Sequence, residues 1–265
     1  NLERFSALDA YNLTDLSGLN GLPKLKEIYL SQTPILSSPN SCLSLEIFEA
    51  KECYLLRDIS GLDNLCHLRV IDVSGSLVER APVGCLSLSS FKAFEAPNLN
   101  NVLGLNYLEN LKEFFISQAN ITHAPVGCVS LETFFAGFVT NLVDISSLNS
   151  STRLKKLIFT HTQVTEAPRN CISLEIFQAN QNPLLNDISG LSHLPKLRMI
   201  NVENTAVRYA PVKCSSLREF HARNAHLLND ISGLKGCRYL SEIDIEGTPA
   251  KQNHQNIITR RKAWQ

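Results

Sequence analysis

The stretch "APVGC" occupies residues 81–85 and returns unchanged at 124–128. APRNC at 167–171 and APVKC at 210–214 are close variants, and SSPNSC at 37–42 is an eroded one. The cysteines of these phrases, Cys42, Cys85, Cys128, Cys171 and Cys214, stand 43 residues apart. Two more columns keep that step. One is Asp15, Asp58, Asn101, Asp144, Asp187 and Asp230; the other is Phe5, Phe48, Phe91, Phe134, Phe177 and Phe220. Three independent columns at one period, without insertions, identify an internal repeat. Self-similarity at a fixed period is the mark of a solenoid.

Each 43-residue unit divides in two. The first half, A, reads L-x-x-F-x-A, as in Leu45, Phe48 and Ala50, and continues to Leu56 and "RDISGL" at 57–62. The second half, B, reads L-x-x-I-x-V, as in Leu68, Ile71 and Val73, and continues to Val78 and "APVGC". A spans 23 residues, from Leu45 to Leu68, and B spans 20, from Leu68 to Leu88. Alternation within each half predicts a short strand with one face inward. Leu56, Ile59, Leu62 and Leu65 have the spacing of a 3₁₀ or ragged helical return. Pro82 removes a donor and fixes an extended path, and the B return is too short for a helix with two turns.

These columns resemble the leucine-rich repeat family, whose pattern is L-x-x-L-x-L-x-x-N/C-x-L. The resemblance covers residues 2–250. The "DISGL-x-x-L-x-x-L" phrase is similar to repeats of internalins and of phosphatase regulatory subunits, and the 20-residue "V-x-x-AP" half to shorter repeats of bacterial effectors. The usual Asn after the strand is mostly replaced, by Cys53 or Ala96 in A and by Ser76 or Thr162 in B. The expected fold is a leucine-rich repeat solenoid (horseshoe): about twelve repeats over 1–250, a parallel β-sheet on the concave face, extended or 3₁₀ segments on the convex face, and little α-helix. Residues 251–265 are expected to be a C-terminal cap, through Ile257, Ile258 and Trp264, or the start of a linker. Asn1 aligns with Ser44, inside an A unit, which suggests a domain cut from a longer protein.

The recurring polar residues have simple structural readings. Cysteines two strands apart are about 9–10 Å from each other. That is beyond disulfide reach and too far apart to converge on zinc. The expected role is a small buried hydrophobe at the turn into each A strand. Each Asp of "DISGL" has no convergent carboxylate, so it reads as a cap for the next turn's N–H groups. Lys26, Arg69, Lys112, Lys155 and Arg198 form a basic column. They alternate along the sheet with Glu3, Glu46, Ser89, Glu132 and Glu175, which predicts a ladder of opposite charges on adjacent strands. The histidines scatter over columns, and no Ser/His/Asp or Cys/His set assembles. Asn12, Asn120 and Asn149 begin glycosylation triplets, which matter only in a secreted protein.

The formal net charge is zero and apolar residues make up 44% of the chain. Bulk charge gives no argument for nucleic acid or an anionic membrane, and no stretch approaches the roughly 20 apolar residues of a membrane span. Eight cysteines without a visible framework favour an intracellular, reducing compartment. A secreted or surface protein of a pathogen is the alternative.

On a repeat scaffold the outward strand positions form the default binding surface. Early repeats offer Arg4, Tyr29, Glu49, Lys51 and Asp72; late ones offer Gln178, Asn201, Glu203, His221, Arg223, Asp244 and Glu246. The middle differs, with Lys92, Phe94, Phe115, Phe135, Phe138, Lys156, Ile158 and His161. Clustered aromatics with basic residues at the edge point to a protein-binding hot spot. The function expected is non-catalytic protein binding on the concave face, with no cofactor. Two alternatives stand beside it: the recognition part of a larger ubiquitin ligase or kinase, and polyanion or nucleic-acid binding along the basic edge.

Overall fold

The computed structural model describes residues 1–253, so Ile257, Ile258 and Trp264 lie outside the described residues. The chain forms two compact units, Asn1–Leu131 and Glu132–Gln265. The first holds β1 (Arg4–Leu8), β2 (Glu27–Ser31), β3 (Ile47–Lys51), β4 (Val70–Asp72), β5 (Ser90–Ala93) and β6 (Glu113–Ser117). The second holds β7 (Thr133–Gly137), β8 (Lys156–Thr160), β9 (Ile176–Gln178), β10 (Met199–Asn201), β11 (Glu219–His221) and β12 (Glu242–Asp244). A short helix, α1 (Ala250–Asn253), ends the described chain.

Within each unit the strands pair in parallel and in chain order, as a solenoid requires. The register follows from the sequence columns. Phe5 pairs with Ile28, Ile28 with Phe48, Phe48 with Ile71, Ile71 with Phe91, and Phe91 with Phe114. In the second unit the row runs Phe134, Leu157, Phe177, Ile200, Phe220 and Ile243. A one-residue slip would turn every one of these side chains out of the core. The large apolar residues of the rows are fully buried from Ile28 to Phe220, each contributing about 1.5–3 kcal/mol of burial. Leu56, Ile59, Leu62 and Leu65 close the core from the return side.

The A returns carry 3₁₀ turns, at Ser17–Leu19, Ser60–Leu62, Leu103–Leu105, Ser146–Ser150, Ser189–Leu191 and Ser232–Gly236. Each is opened by the expected side-chain cap. Asp15, Asp58, Asp144, Asp187 and Asp230 accept the backbone N–H two residues on, at 2.7–2.8 Å, and Asn101 does the same for Leu103 at 2.9 Å. The Ser17 hydroxyl and backbone N–H hold the Asp15 carboxyl below its ordinary range. The B returns stay extended and touch the next return through single parallel bridges, such as Arg80 to Asn101 and Tyr209 to Asp230.

The "APVGC" corner is a left-handed turn locked by the thiol. Gly84 and Gly127 have φ of 72° and 73°, a region glycine enters without steric cost. The cysteine that follows is buried, and its Sγ–H donates to a carbonyl of the preceding A return. Cys42, Cys85, Cys128 and Cys214 reach Leu19, Leu62, Leu105 and Leu191 at 3.2–3.3 Å, and Cys171 reaches Leu148 at 3.7 Å. Burial pushes the thiols of Cys85, Cys128 and Cys171 up to about 11 and that of Cys214 up to about 12. None of the cysteines forms a disulfide. The ladder thus caps backbone as well as filling space.

Candidate functional site

A single backbone rule shapes the end of each strand. A residue one to three positions past it adopts a left-handed conformation, and at several strands its N–H bonds a carbonyl of the next repeat: Asp9 to Ser31, Gln32 to Lys51, Phe138 to Thr160, Gln181 to Glu203. In the first unit this column reads Asp9, Gln32, Glu52, Gly75, Glu95 and Gln118, with φ between 51° and 69°. In the second it reads Phe138, His161, Gln181, Asn204, Asn224 and Gly247, with φ between 54° and 73°. Asn, Asp and Gly tolerate the left-handed region; a bulky Phe there is an outlier. Such strain costs on the order of 1–3 kcal/mol and concentrates at functional positions.

Phe138 and His161 are the two aromatic members of that column, and they meet. Their rings stack with centroids 4.2 Å apart and planes 14° from parallel. Phe138 is 55% exposed. Behind the pair, Phe135 stands opposite Ile158 in the β7–β8 register, and Thr133 opposite Lys156. Phe135 and Ile158 are half-buried on the outer sheet face, and Lys156 is exposed at its edge. The second unit therefore gathers five of the residues singled out from sequence on two adjacent strands.

The other three lie in the first unit, also on adjacent strands. Lys92 is opposite Phe115 in the β5–β6 register. Its ammonium sits 5.6 Å from the Phe115 ring centroid, within cation–π range, and 4.0 Å from the Glu113 carboxylate. The rings of Phe94 and Phe115 are 5.9 Å apart and tilted by 40°. Phe94, Phe115 and Phe135 are half-buried rather than fully outward, because neighbouring side chains shelter one another across the strands. Phe114 and Phe134 fill the core columns and are fully buried. Each patch offers contact area and one or more cations, which suits recognition.

Charged columns in both units are spent on structure. Glu3 with Lys26 at 3.0 Å, Glu46 with Arg69, Glu132 with Lys155 at 2.7 Å and Glu175 with Arg198 at 3.9 Å form the expected ladder. Asp72 is buried, accepts from Ser74 and faces Lys51 at 3.6 Å.

Sequence reading missed two features. The left-handed backbone at Phe138 and His161 has no glycine to announce it. Glu219, His221 and Glu242 also converge, with one potential ligand atom each inside 4.8 Å of the others. That set needs the 23-residue register between β11 and β12 before it can be seen.

No family model and no curated protein matches the chain. Solved structures do. An internalin, InlF of Listeria monocytogenes, superposes with a TM-score of 0.74 at 16% identity, over 93% of this chain and 74% of that one. The functional domain of InlJ from the same organism, described as including a cysteine ladder, gives 0.69 at 13% identity, over 93% and 63%. The plant peptide hormone receptor RGFR1, in complex with RGF2, gives 0.68 at 17% identity, over 94% and 43%. This chain therefore spans under two thirds of the length of the last two. At such identities the likeness speaks to architecture, and with the columns and register above it settles one point: this chain is a leucine-rich repeat solenoid by fold.

Proposed function

We propose that this chain is a non-catalytic protein-recognition domain that binds its partner on the outer face of its sheet. Lys92, Phe94 and Phe115 are the contact residues of the first unit. Phe135, Phe138, Lys156, Ile158 and His161 are those of the second. The observation that carries the reading is the Phe138–His161 stack. Two aromatic rings occupy left-handed positions where the rest of the column is Asp, Glu, Gln, Asn or Gly, and Phe138 is the residue least suited to that backbone. The Phe138 ring is more than half exposed and its backbone conformation favours Asn over Phe, which supports a contact outside the fold as the reason for the choice. RGFR1, a plant peptide hormone receptor in complex with RGF2, illustrates recognition on this architecture.

Another neighbour is TLR13 in complex with ssRNA13, with a TM-score of 0.61 at 14% identity. Nucleic-acid binding is the weaker reading here, because four of the five basic-column residues, Lys26, Arg69, Lys155 and Arg198, are paired with glutamates and the net charge is zero. Attachment to a catalytic domain elsewhere in a longer chain is compatible with the proposal and would add an activity to this recognition role.

The test is affinity capture from native extract with three baits, each checked for folding by circular dichroism. These are wild type, Phe94→Ser/Phe115→Ser and Phe138→Asn/His161→Asn. A partner is a protein recovered by wild type and lost with a folded variant. Equal recovery by all three baits would remove both patches from consideration.

A further inference from the structure

Within the described strand pairings, like charges stand directly opposite each other twice. Glu49 on β3 faces Asp72 on β4, and Glu219 on β11 faces Glu242 on β12. Like charges in that position repel. The first pair is bridged by an ammonium, since Lys51 lies 2.9 Å from Glu49 and 3.6 Å from Asp72. The second is bridged by an imidazole. His221 Nε2 lies 3.7 Å from Glu219 Oε2 and 3.8 Å from Glu242 Oε1. Its side chain is only 16% exposed.

An ammonium carries a permanent charge, whereas a neutral imidazole carries none and offers a lone pair. One nitrogen and two carboxylate oxygens then leave a charge of minus two around one point. Glu219 and His221 alternate onto the same face of β11, and β12 supplies the third group in register, so the set is held by the sheet itself. Among the described residues, neither Glu219 nor Glu242 has a lysine or arginine ion pair. The nearby Asp244 is already taken: Arg223 Nε and Nη2 reach it at 3.0 and 2.9 Å.

We propose that Glu219, His221 and Glu242 form a site for a divalent transition metal of the zinc class. Mixed imidazole and carboxylate ligands suit such an ion, while an all-oxygen shell suits calcium. Three protein ligands leave a coordination position open to water or to a donor from a partner. The present nitrogen–oxygen separations are slightly wider than those around a bound ion, so binding draws the three side chains inward by rotamer changes, without moving the strands. This site is separate from the two aromatic patches, and its test reads metal rather than partner.

The experiment is calorimetric titration of chelator-treated protein with zinc chloride, alongside thermal unfolding with and without the metal. One equivalent should bind with a dissociation constant on the order of micromolar, and excess metal should raise the melting temperature. His221→Gln and Glu242→Gln should each weaken binding by at least about tenfold. Glu49→Gln, at the lysine-bridged pair, should leave it unchanged. Absence of binding by about 100 μM would overturn the proposal. So would a His221→Gln protein that binds as wild type does, which would put the metal elsewhere, for instance at the exposed Cys66. Calcium binding as tightly as zinc would overturn the metal class.

Discussion

The corner before an A strand and the end of that strand both demand a positive φ, and they meet the demand in opposite ways. At the corner, residues 84 and 127 are glycines with φ of 72° and 73°, each followed by a buried thiol bonded to backbone. At the ends of β7 and the B strand β8, residues 138 and 161 are Phe and His with φ of 55° and 54°, their rings stacked, Phe138 exposed and His161 half-buried. The first solution avoids strain with glycine at two of the five corners, while Ser41, Asn170 and Lys213 hold the same left-handed position at the others, with φ of 59°, 62° and 57°. The second puts side chains into the left-handed region, as Gln32, Glu52, Glu95, Gln118 and Gln181 also do, and those side chains are aromatic at one place in the column. Where the chain repeats, it is solving the problem of being a solenoid. Where it departs from the repeat with an exposed aromatic ring at residue 138, the benefit proposed above is contact with a partner.

That contrast is broken first at the corner. A Cβ on Gly104 would overlap the carbonyl oxygen of Pro82, the proline of the first "APVGC". Neither backbone can yield cheaply, so Gly104→Ala should cost about 2–3 kcal/mol, read from urea unfolding. A cost below experimental error would mean that the returns are packed more loosely than the corner reading requires.

The second test sets the two left-handed positions against each other. Gly127→Ala places a Cβ into the Tyr107 ring at a φ of 73° and should destabilise by about 1–2 kcal/mol. Phe138→Asn should act in the other direction, stabilising by about 0.5–1 kcal/mol, because Asn enters the left-handed region more readily. It should also reduce partner binding, the trade expected when a strained residue serves function. If Phe138→Asn destabilises instead, the ring is there for packing.

The period, the core and the caps were legible because they are written as residue types at fixed offsets. Phe48 and Phe91 share a column, and a buried column needs no knowledge of backbone angles. The patch residues were legible as departures from those columns. The ladder thiols were legible as buried groups but not as donors, since the carbonyls of Leu62 and Leu105 lie 23 residues back in chain. The strain at Phe138 was hidden because φ is set by the hydrogen bond from its N–H to the Thr160 carbonyl, not by the residue that bears it. Glu219, His221 and Glu242 were hidden for a related reason. His221 belongs with Glu219 by alternation, but Glu242 joins them only through the β11–β12 register.

The thiols sharpen the corner half of the comparison. Cys85, Cys128 and Cys171 are raised from 9.0 to about 11, and Cys214 to about 12, by burial. A folded value above the unfolded one means that the neutral thiol is what the fold stabilises. This contribution is whole below pH 9 and is lost as pH climbs through 11–12. Denaturation midpoints should therefore fall between pH 9 and 12, and less steeply in Cys85→Ala/Cys128→Ala. At pH 8 a thiol reagent should label the exposed Cys66 first, with the ladder labelled only on unfolding. Ladder labelling at the rate of Cys66 would show the corners opening in the native state.

The smallest effect belongs to the charge ladder. Arg69 and Glu46 are bonded across adjacent strands, but the arginine side chain is 58% exposed, so solvent screens the attraction. Arg69→Ala should cost no more than about 0.5 kcal/mol, and moderate salt should erase the difference. The value of the ladder is in register: a slipped strand would place Glu46 beside another residue's side chain and lose several pairs at once. Arg69→Glu is the sharper probe, since it sets like charges face to face. It should cost more than Arg69→Ala, and the excess should shrink with added salt. Equal costs for the two variants at low salt would show that the arginine contributes through its apolar stem rather than its charge, and the alternation of signs along the sheet would then have no energetic role in choosing the register.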